Sequence, residues 1–228
     1  MRNLYIFAIF LFLSCKSKQN LIAQTVEESL LKNEISNKFI ELNSKINDSS
    51  FVNLNDYSND FVYDMKYATS DNFLKAKVYD CGECFLRLKT VKALINANNS
   101  FMKLGFKIKL FDCYRPLDVQ KKMWEIVPNP IYVANPAKGS IHNKGGAVDI
   151  SLVDLSGTDL DMGTKFDFFG EEASHNYLKL NQKIIDNRKF LKSIMLEFKF
   201  NSFDSEWWHY NLIDALNDKV SNVKWKCD

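Results

Sequence analysis

The apolar pattern of this chain changes period at Gly105, and no other feature restricts its fold as much. From Phe85 to Leu104 the residues Leu88, Val91, Leu94, Ile95, Phe101 and Met102 return at helical spacing, which predicts an amphipathic helix. Gly105 is a natural C-terminal stop. Directly after it, Phe106-Lys107-Ile108-Lys109-Leu110 alternates apolar and polar residues, the pattern of a half-buried strand. Pro116 can open a further helix at its first turn, running through Val119, Met123 and Trp124. Pro128, Pro130 and Pro136 mark a long loop. Ala147 to Leu152 reads as a strand, Leu178 to Phe198 as a helix broken near Asp186, and Phe203 to Leu212 as an aromatic strand. Helices and strands mix without regular alternation, so the class is α+β.

The 228 residues are 46% hydrophobic and 25% charged, which excludes a mostly disordered chain, collagen, a coiled-coil rod and a polytopic membrane protein. Thirty Lys and Arg against 28 Asp and Glu leave a net charge of +2, so no basic excess points to nucleic acid. The N-terminus is an address. Arg2 precedes ten apolar residues, Leu4 to Leu13, too few for the ~20 that span a bilayer but suited to a secretory leader. Phe12-Leu13-Ser14-Cys15 resembles a bacterial lipoprotein cleavage site, with Cys15 lipidated and attached to a membrane; a plain signal peptide cut a few residues later is the alternative. Either reading exports the protein, to the periplasm or to a membrane anchor. Residues 1–15 are then the leader, 16–50 a polar tether or surface helix, and 51–228 the domain. Cys81, Cys84, Cys113 and Cys227 remain, and four cysteines allow three pairings. Cys81-Gly82-Glu83-Cys84 is a lone CxxC, so the zinc site built from two such pairs is not available. We read these cysteines as structural, with a redox protein as the competing reading.

Three histidines occur, His142, His175 and His209. In Ser140-Ile141-His142-Asn143-Lys144-Gly145-Gly146-Ala147-Val148-Asp149 a His and an Asp flank paired glycines. Two glycines let the backbone reverse tightly, which can bring His142 beside Asp149. The second cluster is Glu206-Trp207-Trp208-His209. Imidazole and carboxylate suit zinc, and a catalytic zinc keeps three protein ligands and one open position. His142, Asp149 and His209 would make such a site for one Zn2+. Glu206 beside it could serve as general base. Each piece also has a plain structural reading: a satisfied histidine, an aspartate capping a turn, a tryptophan pair in the core. The HExxH helix of many metalloproteases is absent.

These segments resemble the zinc peptidases of family M15. SIHNKGGAVD is similar to their SxHxxGxAxD motif and SEWWHY to their ExxH motif. Three further segments agree in order with the D-alanyl-D-alanine dipeptidase subfamily: Tyr63 to Thr69 followed by Asn72-Phe73, Asp112-Cys113-Tyr114-Arg115-Pro116, and Asp161 to Asp167. The resemblance spans about residues 51–212; Cys113 stands where the family usually has Gly. It implies a single compact domain with a small antiparallel sheet flanked by helices, the fold shared with hedgehog domains. It implies zinc on His142, Asp149 and His209, Glu206 as base, and Arg115 stabilising the oxyanion. Tyr67, Ser140 and Asp167 match positions near the substrate's ends, where a turn cap (Ser140), a solvated carboxylate (Asp167) or a core residue (Tyr67) are the plain alternatives. The implied substrate is a small D,D-dipeptide and the implied role is cell-wall peptide turnover. A D,D- or L,D-carboxypeptidase acting on longer peptides would share the motifs. So would a non-catalytic zinc-containing binding module, although the presence of both Glu206 and Arg115 argues against that.

Overall fold

The computed structural model describes residues 46–227; the expected leader and nearly all of the expected tether lie outside them. β1 (Phe51–Asn53) and β3 (Phe85–Arg87) form a two-stranded antiparallel ribbon, and α1 (Leu88–Lys103) leaves β3 directly. The helical pattern predicts helix from Phe85, but three residues are strand instead, because Phe85, Leu86 and Arg87 pair with Asn53, Val52 and Phe51. Gly105 ends α1 as expected, with φ at +88°, a conformation that side-chain-bearing residues rarely adopt.

The main sheet has five strands in the order β2-β4-β5-β7-β6. These are β2 (Val62–Tyr63), β4 (Phe106–Asp112), β5 (Ala147–Asp154), β6 (Phe200–Phe203) and β7 (Glu206–Leu212). Neighbours are antiparallel except β2 and β4, which run parallel, so the antiparallel sheet carries one parallel edge pair. The region read as one strand from Phe203 is part of a hairpin, in which Phe203 ends β6 and Glu206 begins β7. α2 (Leu117–Ile126) follows Pro116. α3 (Gln182–Glu197) starts later than the pattern predicts, because the Asn181 side chain accepts the Lys183 N–H and caps it. It runs unbroken through Asp186, whose carboxylate accepts from Gln182 one turn earlier.

One face of the sheet is the core. Ile108 and Leu110 of β4, Val148, Ile150 and Leu152 of β5, and Tyr210 and Leu212 of β7 pack with Val91, Leu94 and Phe101 of α1 and Leu191 and Met195 of α3. Burial of each large apolar side chain contributes ~1.5–3 kcal/mol. The even-numbered residues of β5 point into this core, so Asp149 points to the other face. A register shift in β4 matters more. Leu110 pairs with Ile150 but Asp112 pairs with Asp149: two residues of β4 oppose one of β5. This bulge moves Asp112 from the core parity of Leu110 to the face of Asp149.

Beyond Leu216 the chain forms a strap without regular structure. Ser221 N–H bonds the Asn143 carbonyl and Leu117 N–H bonds the Ser221 carbonyl. The Tyr114 hydroxyl donates to the Val223 carbonyl, and Trp225 stacks on Phe85 at 4.7 Å. Of the three possible cysteine pairings, the structure has Cys81–Cys227 and Cys84–Cys113.

Candidate active site

The sheet and one short loop assemble the His/Asp cluster. Asp149 and His209 are direct cross-strand partners on β5 and β7. His142 arrives from a single 3-10 turn, His142–Lys144, that ends in Gly145. The reversal expected of the paired glycines is real and needs both. Gly145 has φ +73°, and a Cβ on Gly146 would lie 2.3 Å from the Ala215 Cβ.

Three potential ligand atoms converge. His142 Nε2 lies 3.2 Å from His209 Nδ1 and 3.4 Å from Asp149 Oδ2, and His209 Nδ1 lies 2.9 Å from Asp149 Oδ1. The outer nitrogens are engaged elsewhere. His142 Nδ1 faces the Cys113 carbonyl at 2.7 Å, and His209 Nε2 faces Asn211 Oδ1 at 3.0 Å. Donation of both outer N–H groups to these acceptors leaves two bare ring nitrogens and a carboxylate facing one another. Such a cluster is repulsive without a cation and is the arrangement a metal's outer partners impose on ligating histidines. The spacing fits as well, since ligand atoms ~2.0–2.2 Å from a tetrahedral zinc lie roughly 3.3 Å apart. Among the described residues one other group of this kind occurs, Cys81, Glu83 and Cys227, but its two sulfurs are bonded to each other.

The cluster lines a cavity of about 270 Å3 together with Glu206, Arg115, Tyr67, Ser140 and Asp167. Every predicted site residue therefore reaches one cavity. Glu206 stands at the start of β7, opposite Phe203. Burial, and then the charge of Asp149 against the opposing pull of His209, raises its carboxyl above the ordinary range. No hydrogen bond from a described residue occupies that carboxylate. Arg115 is buried and held like a fork. Its NH2 donates to Asp112 Oδ2 at 2.6 Å and its NH1 to Gln120 Oε1 at 3.0 Å, while its Nε has no partner among the described residues. Burial opposes its charge, but Asp112 beside it keeps the guanidinium protonated.

Tyr67 is buried under the Arg115 guanidinium, 5.3 Å from ring centre to Cζ, and donates its hydroxyl to Asp167 at 3.1 Å. Asp167 adopts φ +57°, a left-handed turn that Asp tolerates better than most residues. Burial first, and Asp149 second, push its carboxyl well above the ordinary range. Ser140 lines the cavity and also caps the His142 turn: its hydroxyl donates to Asn143 Oδ1 and accepts the Asn143 N–H. His175 lies elsewhere, its backbone N–H on the Asp204 carbonyl.

Four supporting residues are absent from the sequence-based set. Asp112, fully buried, accepts from Arg115, the Tyr79 hydroxyl and the Cys113 N–H. Gln120 bridges Arg115 to the Ala134 carbonyl. Asn143 donates to the Arg115 carbonyl, and Asn211 orients His209. Asn211 was findable, since a strand places residue i+2 on the same face. Asp112 was half visible inside the Asp-Cys-Tyr-Arg-Pro segment. Gln120 leaves no sequence signal.

The family model for D-ala-D-ala dipeptidase, peptidase family M15, matches residues 47–226. The chain belongs to this family. D-alanyl-D-alanine dipeptidase of Escherichia coli (strain K12) is 31% identical over 168 residues, 74% of this chain and 87% of that protein. The enzyme of the same name from Enterococcus faecalis is 29% identical over 188 residues, 73% of this chain and 93% of its own length. That of Enterococcus faecium is 30% identical over 173 residues, covering 67% and 86%. In this M15 peptidase the matched region contains all eight predicted site residues.

Proposed function

We propose that this M15 peptidase hydrolyses D-alanyl-D-alanine with one zinc ion held by His142, Asp149 and His209. The observation that carries the reading is the convergence of three metal-competent atoms within 4.8 Å of one another, beside a partly buried glutamate whose carboxylate takes no hydrogen bond from a described residue. When bound, zinc polarises the scissile carbonyl and acidifies water. Glu206 takes the proton of the attacking water and returns it to the leaving amine; its raised pKa suits both halves of that exchange. Arg115, fixed by Asp112 and Gln120, offers a preorganised cation to the oxygen on which negative charge grows. Asp167 faces the substrate ammonium. A bound cation offsets the burial and the Asp149 repulsion that otherwise favour its protonated form. Tyr67 holds Asp167 in place, and Ser140 lies at the carboxylate end. The amine leaves protonated, and no acyl-enzyme forms.

The leader-like N-terminus supports export, with Cys15 as a lipid anchor, and a role in cell-wall peptide turnover. Release of D-alanine from D-alanyl-D-alanine by the zinc-loaded protein, abolished by a chelator and by Glu206→Gln, is the expected result. Cleavage of longer D-terminal peptides without cleavage of the dipeptide would replace the reading with a carboxypeptidase.

A further inference from the structure

The disulfide Cys84–Cys113 lies against the metal cluster. Cys84 directly precedes β3, and its carbonyl accepts the Leu54 N–H at 2.8 Å. Cys113 directly follows β4, between Asp112 and the Tyr114-Arg115 pair. Both cysteines are buried, at 0% and 1% exposure. The Cys113 carbonyl is the acceptor for His142 Nδ1 at 2.7 Å, and its N–H binds Asp112 Oδ1 at 2.9 Å. Next to it, Tyr114 N–H bonds the Phe85 carbonyl and Arg115 N–H bonds the His142 carbonyl. One residue is thus half of a disulfide and also the group that orients a metal ligand.

We propose that Cys84–Cys113 is a positioning device for the metal site: it fixes the Cys113 carbonyl against His142, so that full metal affinity appears only once this bond has formed. The inference rests on the reading of His142, Asp149 and His209 as the ligand set. Bonded sulfurs sit ~2.05 Å apart, whereas non-bonded heavy atoms settle at roughly 3.5–4 Å. Reduction by a dithiol delivers two electrons and two protons; the dithiol closes into its own disulfide and two protein thiols remain. Those thiols need more room than the bond did, inside an interior packed too densely to supply it. The Cys84 side is pinned by the β1–β3 ladder and by Leu54. Cys113 follows the bulge in β4, where the ladder to β5 is already irregular. Part of the displacement therefore falls on the Cys113 peptide, whose own N–H is held only by the neighbouring Asp112 side chain, and its carbonyl shifts against His142. Loss of such an outer partner costs ~10–100-fold in metal affinity. A chain kept reduced would hold its metal weakly, and oxidation would complete the site.

The other disulfide is the built-in control. Cys81–Cys227 ties the partly exposed Cys81 to the end of the strap, and neither cysteine contacts a ligand. The test measures Zn2+ affinity of the full chain by competition with a chromophoric chelator, and the visible spectrum of the Co2+-loaded protein. Cys84→Ala/Cys113→Ala should bind Zn2+ ~10–100-fold more weakly, with an altered Co2+ spectrum, while Cys81→Ala/Cys227→Ala should match the wild type in both. Where the first variant does not fold, Cys84→Val/Cys113→Ala refills the lost volume. Stepwise dithiol reduction of the wild type, with thiols counted by mass spectrometry, gives the same comparison without mutation: affinity should fall in step with loss of Cys84–Cys113. Unchanged affinity once that bond is lost overturns the inference. Failure of the oxidised wild type to bind one Zn2+ overturns the ligand assignment instead.

Discussion

Asp149 and His209 face each other across a ladder of paired strands, whereas Tyr67, Ser140 and Asp167 reach the same cavity from three separate connecting segments, Tyr67 from a single 3-10 turn. The ladder residues are over-determined. Backbone pairing fixes Asp149 opposite His209, and an acceptor fixes the outer nitrogen of each histidine, the Cys113 backbone carbonyl for His142 and the Asn211 side chain for His209. The other three are held differently: Tyr67 by apolar packing and the Arg115 guanidinium, with a hydroxyl-to-carboxylate bond to Asp167, and Ser140 by a turn cap. Metal chemistry demands atoms placed to within a few tenths of an ångström. Recognition of a substrate's ends tolerates more play and can be retuned by loop changes without disturbing the ladder.

Four measurements would break or sharpen this contrast. On the ladder side, Glu206→Gln should lower kcat by about 10²–10⁴-fold with unchanged zinc stoichiometry; a variant that keeps its rate sinks the assignment of the base. Arg115→Ala should cost about 10²–10³-fold in kcat, with little change in KM. On the loop side, Asp167→Asn should act mainly through KM, raising it about 10-fold or more by loss of a charged partner for the ammonium. Its stability should move the opposite way. A carboxyl whose folded pKa is raised loses stability as pH rises through that pKa. The metal-free Asn variant should therefore melt higher than the parent at neutral pH, and an equal or lower melting temperature would show that Asp167 is not burdened by its burial. The smallest effect is expected from Ile131→Ala in the exposed loop at the cavity mouth, 76% exposed. A change in kcat/KM of no more than about tenfold, confined to bulkier dipeptides, would mark the loop as a tuner of side-chain preference.

The same contrast explains what could be read in advance. Helix α1, its glycine stop and strand β4 were legible because their periodicity is local. His142, Asp149, Glu206 and His209 were legible because paired glycines and clustered ligand types are unusual in sequence. The hairpin within residues 200–212 was not, since its turn lacks glycine and proline. Asp112 was hidden by the bulge: strand alternation alone assigns it to the core face with Leu110, and only the register shift turns it toward Arg115. The disulfide pairing depends on distances between β3, β4 and the strap, which no spacing rule encodes.

The link between Cys81 and Cys227, 146 positions apart, has a topological consequence. It closes the chain into a covalent ring that contains Arg115, Ser140, His142, Asp149, Asp167, Glu206 and His209, leaving only Tyr67 outside. One proteolytic nick anywhere between those two cysteines, the exposed loop at Ile131 included, opens the ring without dividing the molecule. A clipped enzyme would still migrate as one species on a non-reducing gel, with its active-site residues joined by covalent bonds.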